Sequence, residues 1–112
     1  MKTAVYLALL LMAQLPLQAQ EKDQAELKEY FLDAEFFFAQ EEYADALYDY
    51  QELYNNGFRD NANINYRMGI CYLNIPGQKE KAIDHLLEAV KNISSKYRES
   101  SLKQKTAPVD AY

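Results

Sequence analysis

The sequence has little of the residues that small disulfide-rich or β-rich proteins need. Its 112 residues include one cysteine, three glycines, three prolines and no tryptophan. One cysteine excludes an internal disulfide framework, and few glycines and prolines favour helices joined by short turns over a series of hairpins. Hydrophobic residues make up 49% of the chain and charged residues 26%, which is a composition of folded domains and not of disordered chains.

Positive charge is also scarce. Lysine and arginine number 12 against 17 aspartates and glutamates, for a net charge of −5, which disfavours a nucleic-acid partner. Residues 20–60 have a net charge of −9, whereas residues 61–112 have a net charge of +3. This asymmetry suits two packed modules that attract each other, although solvated helix faces without a partner are the better explanation of most individual charges.

The N-terminus has the pattern of an export signal. Lys2 precedes the uncharged apolar run of residues 4–17, and Ala19 follows it, as in secretory signal peptides. The run is shorter than a span of about 20 residues and contains Pro16. We therefore predict cleavage after Ala19 and a mature chain that begins at Gln20, lies in the periplasm with or without outer-membrane association, and has no membrane span. The alternatives are a buried first helix and a retained anchor.

Hydrophobic residues recur at three- and four-residue steps through most of the remaining chain. This spacing predicts helices over residues 23–39, 43–54, about 61–74 and 79–97. Asp60 or Asn61 can cap the third helix, and Gly57 can end the second. Residues 98–107 read as a loop, and Pro108 stands where a further helix would begin. The sequence thus predicts an all-α fold with two antiparallel helical hairpins, at about residues 27–60 and 61–97.

The two predicted hairpins share one pattern of small and large residues. Ala34 in the first is followed at a distance of 35 residues by Gly69 in the second, and small residues on facing helices let their backbones approach closely. A period in the mid-thirties resembles the tetratricopeptide repeat. The residues expected to pack the helices together are Tyr30, Ala34, Phe37, Ala46, Tyr50, Gly69, Tyr72, Ala82, Leu86 and Ala89.

A narrower resemblance rests on the export signal, the Tyr- and Phe-rich first repeat and residues 66–73. Together they are similar to envelope proteins whose N-terminal tetratricopeptide repeats precede a β-propeller and an OmpA-like peptidoglycan-binding domain. The resemblance implies the start of a third repeat at residues 108–112, in a chain that is truncated there. Neither later domain is present, so peptidoglycan binding does not carry over. Asn65 and Asp33 depart from the tetratricopeptide pattern, which usually has a large aromatic residue and a leucine at these positions.

The repeat resemblance also implies a groove, lined by the first helix of each hairpin, in which a protein or peptide partner lies. The residues that would face this groove are Phe31, Glu35, Phe38, Ala39, Tyr66, Ile70, Leu73 and Asn74. Their aromatic character suggests an apolar partner or a neighbouring segment. The alternative is that residues after Tyr112 cover them. Equally, the row Ile83, Leu87 and Val90 on the last helix is expected to need a covering helix.

We find no pattern of catalytic, cofactor-binding or metal-binding residues. His85 is the only histidine and is expected to be solvated, while Cys71 is expected to be a silent core residue. Asp45 and Asp49 read as acidic surface. Two hypotheses remain: a non-enzymatic scaffold that binds an envelope protein, without a cofactor, or an N-terminal fragment of an OmpA-family protein that anchors to the cell wall.

Overall fold

The computed structural model describes residues 22–112, so the predicted signal peptide lies outside the described residues. Within this range 67% of the residues are helical, which confirms the prediction of a predominantly helical chain. The four α-helices are α1 (Gln24–Ala39), α2 (Tyr43–Leu53), α3 (Ala62–Leu73) and α4 (Lys79–Ala89). Each helix packs against the next one in the sequence.

Two helices begin with side-chain caps. The Asp23 carboxylate accepts a hydrogen bond from the Glu26 amide at 2.8 Å, and the Asn61 side-chain oxygen accepts one from the Ile64 amide at 3.0 Å. Of the two caps that the sequence allowed for α3, the structure therefore uses Asn61. After α2 the chain continues through a π-helical turn, Tyr54–Phe58, in which Gly57 takes a φ of 113°, a conformation that glycine adopts without strain.

One hydrophobic core is shared by all four helices. Ala34, Ala46 and Ala82 are fully buried in it. A β-carbon placed on Gly69 would lie 2.5 Å from Leu86 Cδ2, so α3 and α4 approach where a side chain would not fit. Of the other residues expected to pack the helices, Tyr50, Tyr72 and Ala89 are buried, and Tyr30, Phe37 and Leu86 are half-buried.

The start of α3 is covered on every side. Ala62, Asn63, Ile64 and Asn65 are consecutive, and each is at most 1% exposed. Consecutive helical residues point in different directions, so one neighbouring helix cannot bury them all. Helices α2 and α4 cover part of this region. The rest is covered by the C-terminal segment, in which Ala107 belongs to the same apolar cluster as Ala62.

The chain after α4 differs from the prediction. Helix α4 ends at Ala89 and is followed by a 3₁₀ turn, Val90–Asn92, so the prediction of a helix to residue 97 is wrong beyond that turn. Strand β1 (Ile93–Ser94) pairs in parallel with strand β2 (Ala107–Pro108), and a 3₁₀ turn, Val109–Ala111, replaces the helix predicted from Pro108. Burial of Ala107 against α3 outweighs the weak local preference for helix.

Candidate protein-binding groove

The predicted groove residues differ widely in exposure. Phe31 is 5% exposed and belongs to the core, so the expectation that it faces a partner is wrong. Glu35, Phe38, Tyr66 and Ile70 are half-buried, and Ala39, Leu73 and Asn74 are exposed. The exposed large aromatics of the helices are instead Phe36 and Tyr48. Phe31 is buried because the apolar face of α1 is wider than a single stripe of residues.

Asn74 is already engaged by its own helix. Its side-chain amide donates a hydrogen bond to the Ile70 carbonyl at 2.8 Å, and its backbone ends α3. The same carbonyl also accepts the Asn74 backbone N–H, at 3.2 Å, so the side chain adds a second hydrogen bond at the helix C-terminus. Asn74 is therefore a cap in this structure, and Leu73 is the exposed apolar residue beside it.

Glu35 joins three elements at the groove. One of its carboxylate oxygens, Oε1, accepts hydrogen bonds from the Tyr50 hydroxyl at 2.6 Å and from the Ser100 hydroxyl at 2.8 Å. Burial, followed by the negative charge of Glu35, raises the pKa of Tyr50, so the phenol stays protonated and remains a donor. Glu35 thus connects α1 with α2 and with the chain after α4.

Arg67 connects α3 with α1. Its guanidinium carbon lies 4.3 Å from the centroid of the Phe38 ring, and its Nε lies 3.5 Å from Glu35 Oε1. Nε is buried and has no aligned hydrogen-bond acceptor, so the Glu35 contact is an ion pair rather than a hydrogen bond. Both side chains are partly buried, which makes their attraction stronger than that of a surface pair.

The chain's own C-terminal part contacts the predicted groove at Glu35. The Tyr97 hydroxyl donates a hydrogen bond to Asn63 Oδ1 at 2.7 Å, and Asn63 Nδ2 donates one to Ser100 Oγ at 2.9 Å. Leu102 packs against the core. Asn61 Nδ2 donates a hydrogen bond to the backbone carbonyl of Gln104 at 3.1 Å. We call residues 97–104 the return segment. Among the residues predicted to line the groove, the return segment makes a hydrogen bond to Glu35.

Sequence reasoning missed two polar residues of α3: Asn63, which holds the return segment, and Arg67, which pairs with Glu35. Asn63 lies four residues before Arg67, and Arg67 lies three residues before Ile70. The two polar residues therefore share a helix face with Ile70, which is a predicted groove residue. That spacing could have found them. Tyr97 and Ser100 lie more than thirty residues away in the sequence, and no local pattern indicates such contacts.

His85 is half-buried and engaged by neighbouring side chains, whereas the expectation was a solvated residue. Its ring stacks on the Tyr72 ring, with centroids 5.4 Å apart and planes 20° apart, and the Tyr54 ring meets it edge-on at 5.3 Å. Its Nδ1 lies 2.8 Å from Asn65 Oδ1. The aromatic rings and the buried asparagine place the imidazole between α3 and α4, half-buried.

The hydrogen bonds of Asn65 determine how the His85 ring is protonated. Asn65 Nδ2 donates to the backbone carbonyls of Arg59 and Asn61, both at 2.9 Å. The amide oxygen must therefore face His85, and the neutral imidazole carries its proton on Nδ1. Burial lowers the pKa of His85, and the nearby Asp84 carboxylate opposes this only partly.

Two further predicted features bear on chemistry. Cys71 is fully buried, and burial raises the pKa of its thiol to about 12, which keeps it protonated and unreactive. Among residues 22–112, no group of three or more histidine, cysteine or acidic side chains is placed to hold a metal ion. In the same range no helix is long and apolar enough to cross a membrane.

The outer face of α4 is apolar and open. Ile83 is 57% exposed and Leu87 is 59% exposed, and Val90 is half-buried. These residues, together with Ala111 and Tyr112, line a cleft of about 360 Å³. The last described residues, Ala111 and Tyr112, lie beside this row but leave Ile83 and Leu87 more than half exposed. A covering helix was expected here.

Comparisons of the sequence with protein-family models and with curated proteins, and of the structure with solved structures, gave no match.

Proposed function

We propose that this chain is an exported, non-enzymatic scaffold of the tetratricopeptide-repeat type, which binds a protein or peptide partner in the cell envelope. The proposed binding surface is the groove, with Phe38, Ile70 and Leu73 as its accessible apolar residues. Glu35 and Arg67 supply its charge. The proposal includes no cofactor, no nucleic acid and no membrane span after removal of the signal peptide.

One observation carries the proposal: small residues about 35 positions apart are buried in both pairs of helices. Ala34 of α1 and Gly69 of α3 are both buried, as are Ala46 of α2 and Ala82 of α4. In each pair of helices both members bury a small residue, and this favours two copies of one helical hairpin. Stacked hairpins present their first helices on one face, and partners of repeat proteins bind to such faces.

The chemistry at the groove supports binding rather than catalysis. Glu35 already accepts two hydrogen bonds and forms one ion pair. Its carboxylate is therefore not poised as a general base. Ser100 donates its proton to that carboxylate and has no histidine beside it, whereas nucleophilic serines need such a base.

Photo-cross-linking in cells that express the full chain tests the binding surface. A photoreactive amino acid at Leu73, which is 43% exposed on α3, should give a defined protein adduct. The matched control is the same amino acid at Tyr48, which is 65% exposed on α2. We expect an adduct from Leu73 alone. Adducts from both positions, or from neither, contradict a groove-specific partner.

Export has its own test. Mass spectrometry of envelope fractions should find a mature N-terminus at or near Gln20. An intact Met1 on a cytosolic product would contradict export and would leave the groove without an envelope partner.

The second candidate, an N-terminal part of an OmpA-family protein that anchors to the cell wall, is favoured by the outer face of α4. Ile83 and Leu87 stand four residues apart with more than half of each side chain exposed, as expected for a face that a further repeat helix covers. The mass of the native gene product in the envelope fraction decides between the candidates. A product of the size of residues 20–112 favours the scaffold, and a much larger one favours the anchoring protein.

A further inference from the structure

We propose that a second copy of this chain covers the open apolar face of α4, with the two α4 helices antiparallel. The face consists of Ile83, Leu87 and Val90. It lies on α4, whereas α1 and α3 supply the residues of the proposed groove, so the inference goes beyond the proposed binding function. The result is a dimer with twofold symmetry, in which the same surface of each copy forms the contact.

The face of α4 is apolar over a continuous area. Ile83 and Leu87 are each more than half exposed, and their four-residue spacing places them side by side on the helix. Tyr112 lies beside them and is 92% exposed. None of the side chains that line the adjoining cleft is charged. Continuous apolar faces of this kind mark contacts between proteins.

Charge distinguishes this face from the exposed apolar residues of α1 and α2. Leu32 and Phe36 on α1 and Tyr48 on α2 are also more than half exposed. However, α1 contains four acidic residues and one lysine, and α2 contains three acidic residues and no basic one. Two copies that met through either helix would repel each other. Residues 79–91 contain three lysines and three acidic residues, so no net charge opposes a second copy at α4.

Charges beside the apolar row determine the orientation of the two helices. Glu80 and Lys91 are eleven residues apart, which is about three helical turns. They therefore lie on the same side of the row, one near each end, and both side chains are exposed. In an antiparallel pair, twofold symmetry brings Glu80 opposite the partner's Lys91, and it does so twice. A parallel pair would place like charges opposite each other.

The existing contact of Lys91 does not prevent this pairing. Its Nζ lies 2.7 Å from Glu88 Oε2, but its side chain is 69% exposed. An ion pair at such an exposed position contributes little to stability. An ammonium group also has three N–H donors, so Lys91 can contact a second carboxylate while it keeps the first.

The dimer is expected to be weak. Three apolar residues on each helix and the cleft beside them form an interface that is smaller than the standard one of about 800 Å² per partner. We therefore expect a dissociation constant on the order of 10⁻⁵ M. The chain is then a monomer in dilute solution and a dimer in concentrated solution.

Sedimentation velocity of the mature full chain at increasing concentration tests for this dimer. Leu87→Glu places a charge in the apolar contact, and the dissociation constant should rise by about a hundredfold or more. Leu87 is already 59% exposed, so the fold should remain intact, which circular dichroism checks. Leu32→Glu is the matched control, because Leu32 is 55% exposed on α1. This variant should associate like the unchanged chain.

Reversal of the two charges tests the antiparallel orientation. Glu80→Lys and Lys91→Glu each place like charges opposite each other twice, so each should weaken the dimer roughly tenfold at low salt. The double variant restores opposite charges and should restore the affinity. A double variant that associates no more tightly than the single ones overturns the proposal.

Two results of the sedimentation experiment also overturn the proposal. One is a monomer at every concentration up to about 1 mM, which is expected if residues beyond Tyr112 or a different protein cover the face. The other is a dimer that Leu32→Glu weakens as strongly as Leu87→Glu does. Photo-cross-linking at Leu73 reports on the groove and not on α4, so a failure of the dimer is distinguishable from a failure of the proposed function.

Discussion

The pair α1–α2 and the pair α3–α4 both use small residues where their helices meet, but they surround those residues differently. Around Ala34 and Ala46 the first pair places phenylalanine and tyrosine rings. The second pair instead buries two asparagines, Asn63 and Asn65, which are 0% and 1% exposed. A repeated backbone packing therefore does not require repeated side-chain chemistry, because a satisfied polar group is tolerated in a core where an unsatisfied one is not.

The difference follows from what covers each pair. In the second pair, Asn63 holds the return segment and Asn65 holds His85, so each buried asparagine fixes one neighbouring element in place. In the first pair aromatic rings fill most of the space between the helices, and the buried Tyr50 hydroxyl is satisfied by the Glu35 carboxylate.

The largest expected effect tests whether the two pairs fold as one unit. Leu53 on α2 and Met68 on α3 are at most 1% exposed and belong to the shared core. Leu53→Ala and Met68→Ala should each lower the free energy of unfolding by about 2–5 kcal/mol in a single transition, measured by urea denaturation. Leu87→Ala, at an exposed position, should change it by less than about 0.5 kcal/mol. Two separate transitions would show that the pairs unfold independently.

The second prediction asks whether the small residues are equivalent. Ala46→Leu and Ala82→Leu place a large side chain at fully buried positions, so each should cost about 1–3 kcal/mol by overpacking. Lys81→Leu, at the exposed neighbour of Ala82, is the control and should have little effect in the same thermal melts. If only one alanine variant is destabilised, the two hairpins are not packed alike.

The third prediction concerns acid, and it applies to the second pair. The pKa of His85 is lowered in the folded state, so the unfolded chain takes up a proton first as the pH falls below about 6.5. Stability should therefore decrease below that pH, by at most about 1.4 kcal/mol per pH unit. Unfolding at pH 7.5, 6.5 and 5.5 should show this loss in the unchanged chain and not in His85→Gln. An identical pH dependence of both proteins would contradict it.

The smallest effect has the opposite sign and belongs to the first pair. Asp49 is 8% exposed, and burial, then the charges of Asp33, Asp45 and Glu52, raises its pKa. Its ionisation therefore destabilises the fold at neutral pH, and this cost disappears as the pH falls through the raised pKa toward the ordinary value of about 3.9. Asp49→Asn should stabilise the chain by less than about 1 kcal/mol at pH 7. A loss of stability at pH 7 would show that the carboxylate has a favourable contact.

The helices and the places where they meet could be predicted from local spacing. Hydrophobic periodicity predicts α1 to α4 because the 3.6-residue period is a local property of the chain, and the small residues Ala46, Gly69 and Ala82 mark close approach for the same local reason. The end of α4 was predicted too late, at residue 97 instead of Ala89. The local sequence does not show that residues 93–94 pair with a distant segment instead of continuing the helix.

The groove, in contrast, depends on how the chain folds back on itself. Phe31 lies in the core although its spacing allowed a groove position, because α1 is apolar on more than one face. Ser100 reaches Glu35 across 65 residues of sequence, and His85 finds Asn65 across 20. These polar contacts form only when distant segments meet, and burial then makes each unpaired donor or acceptor costly. A local pattern of residues therefore cannot predict these contacts.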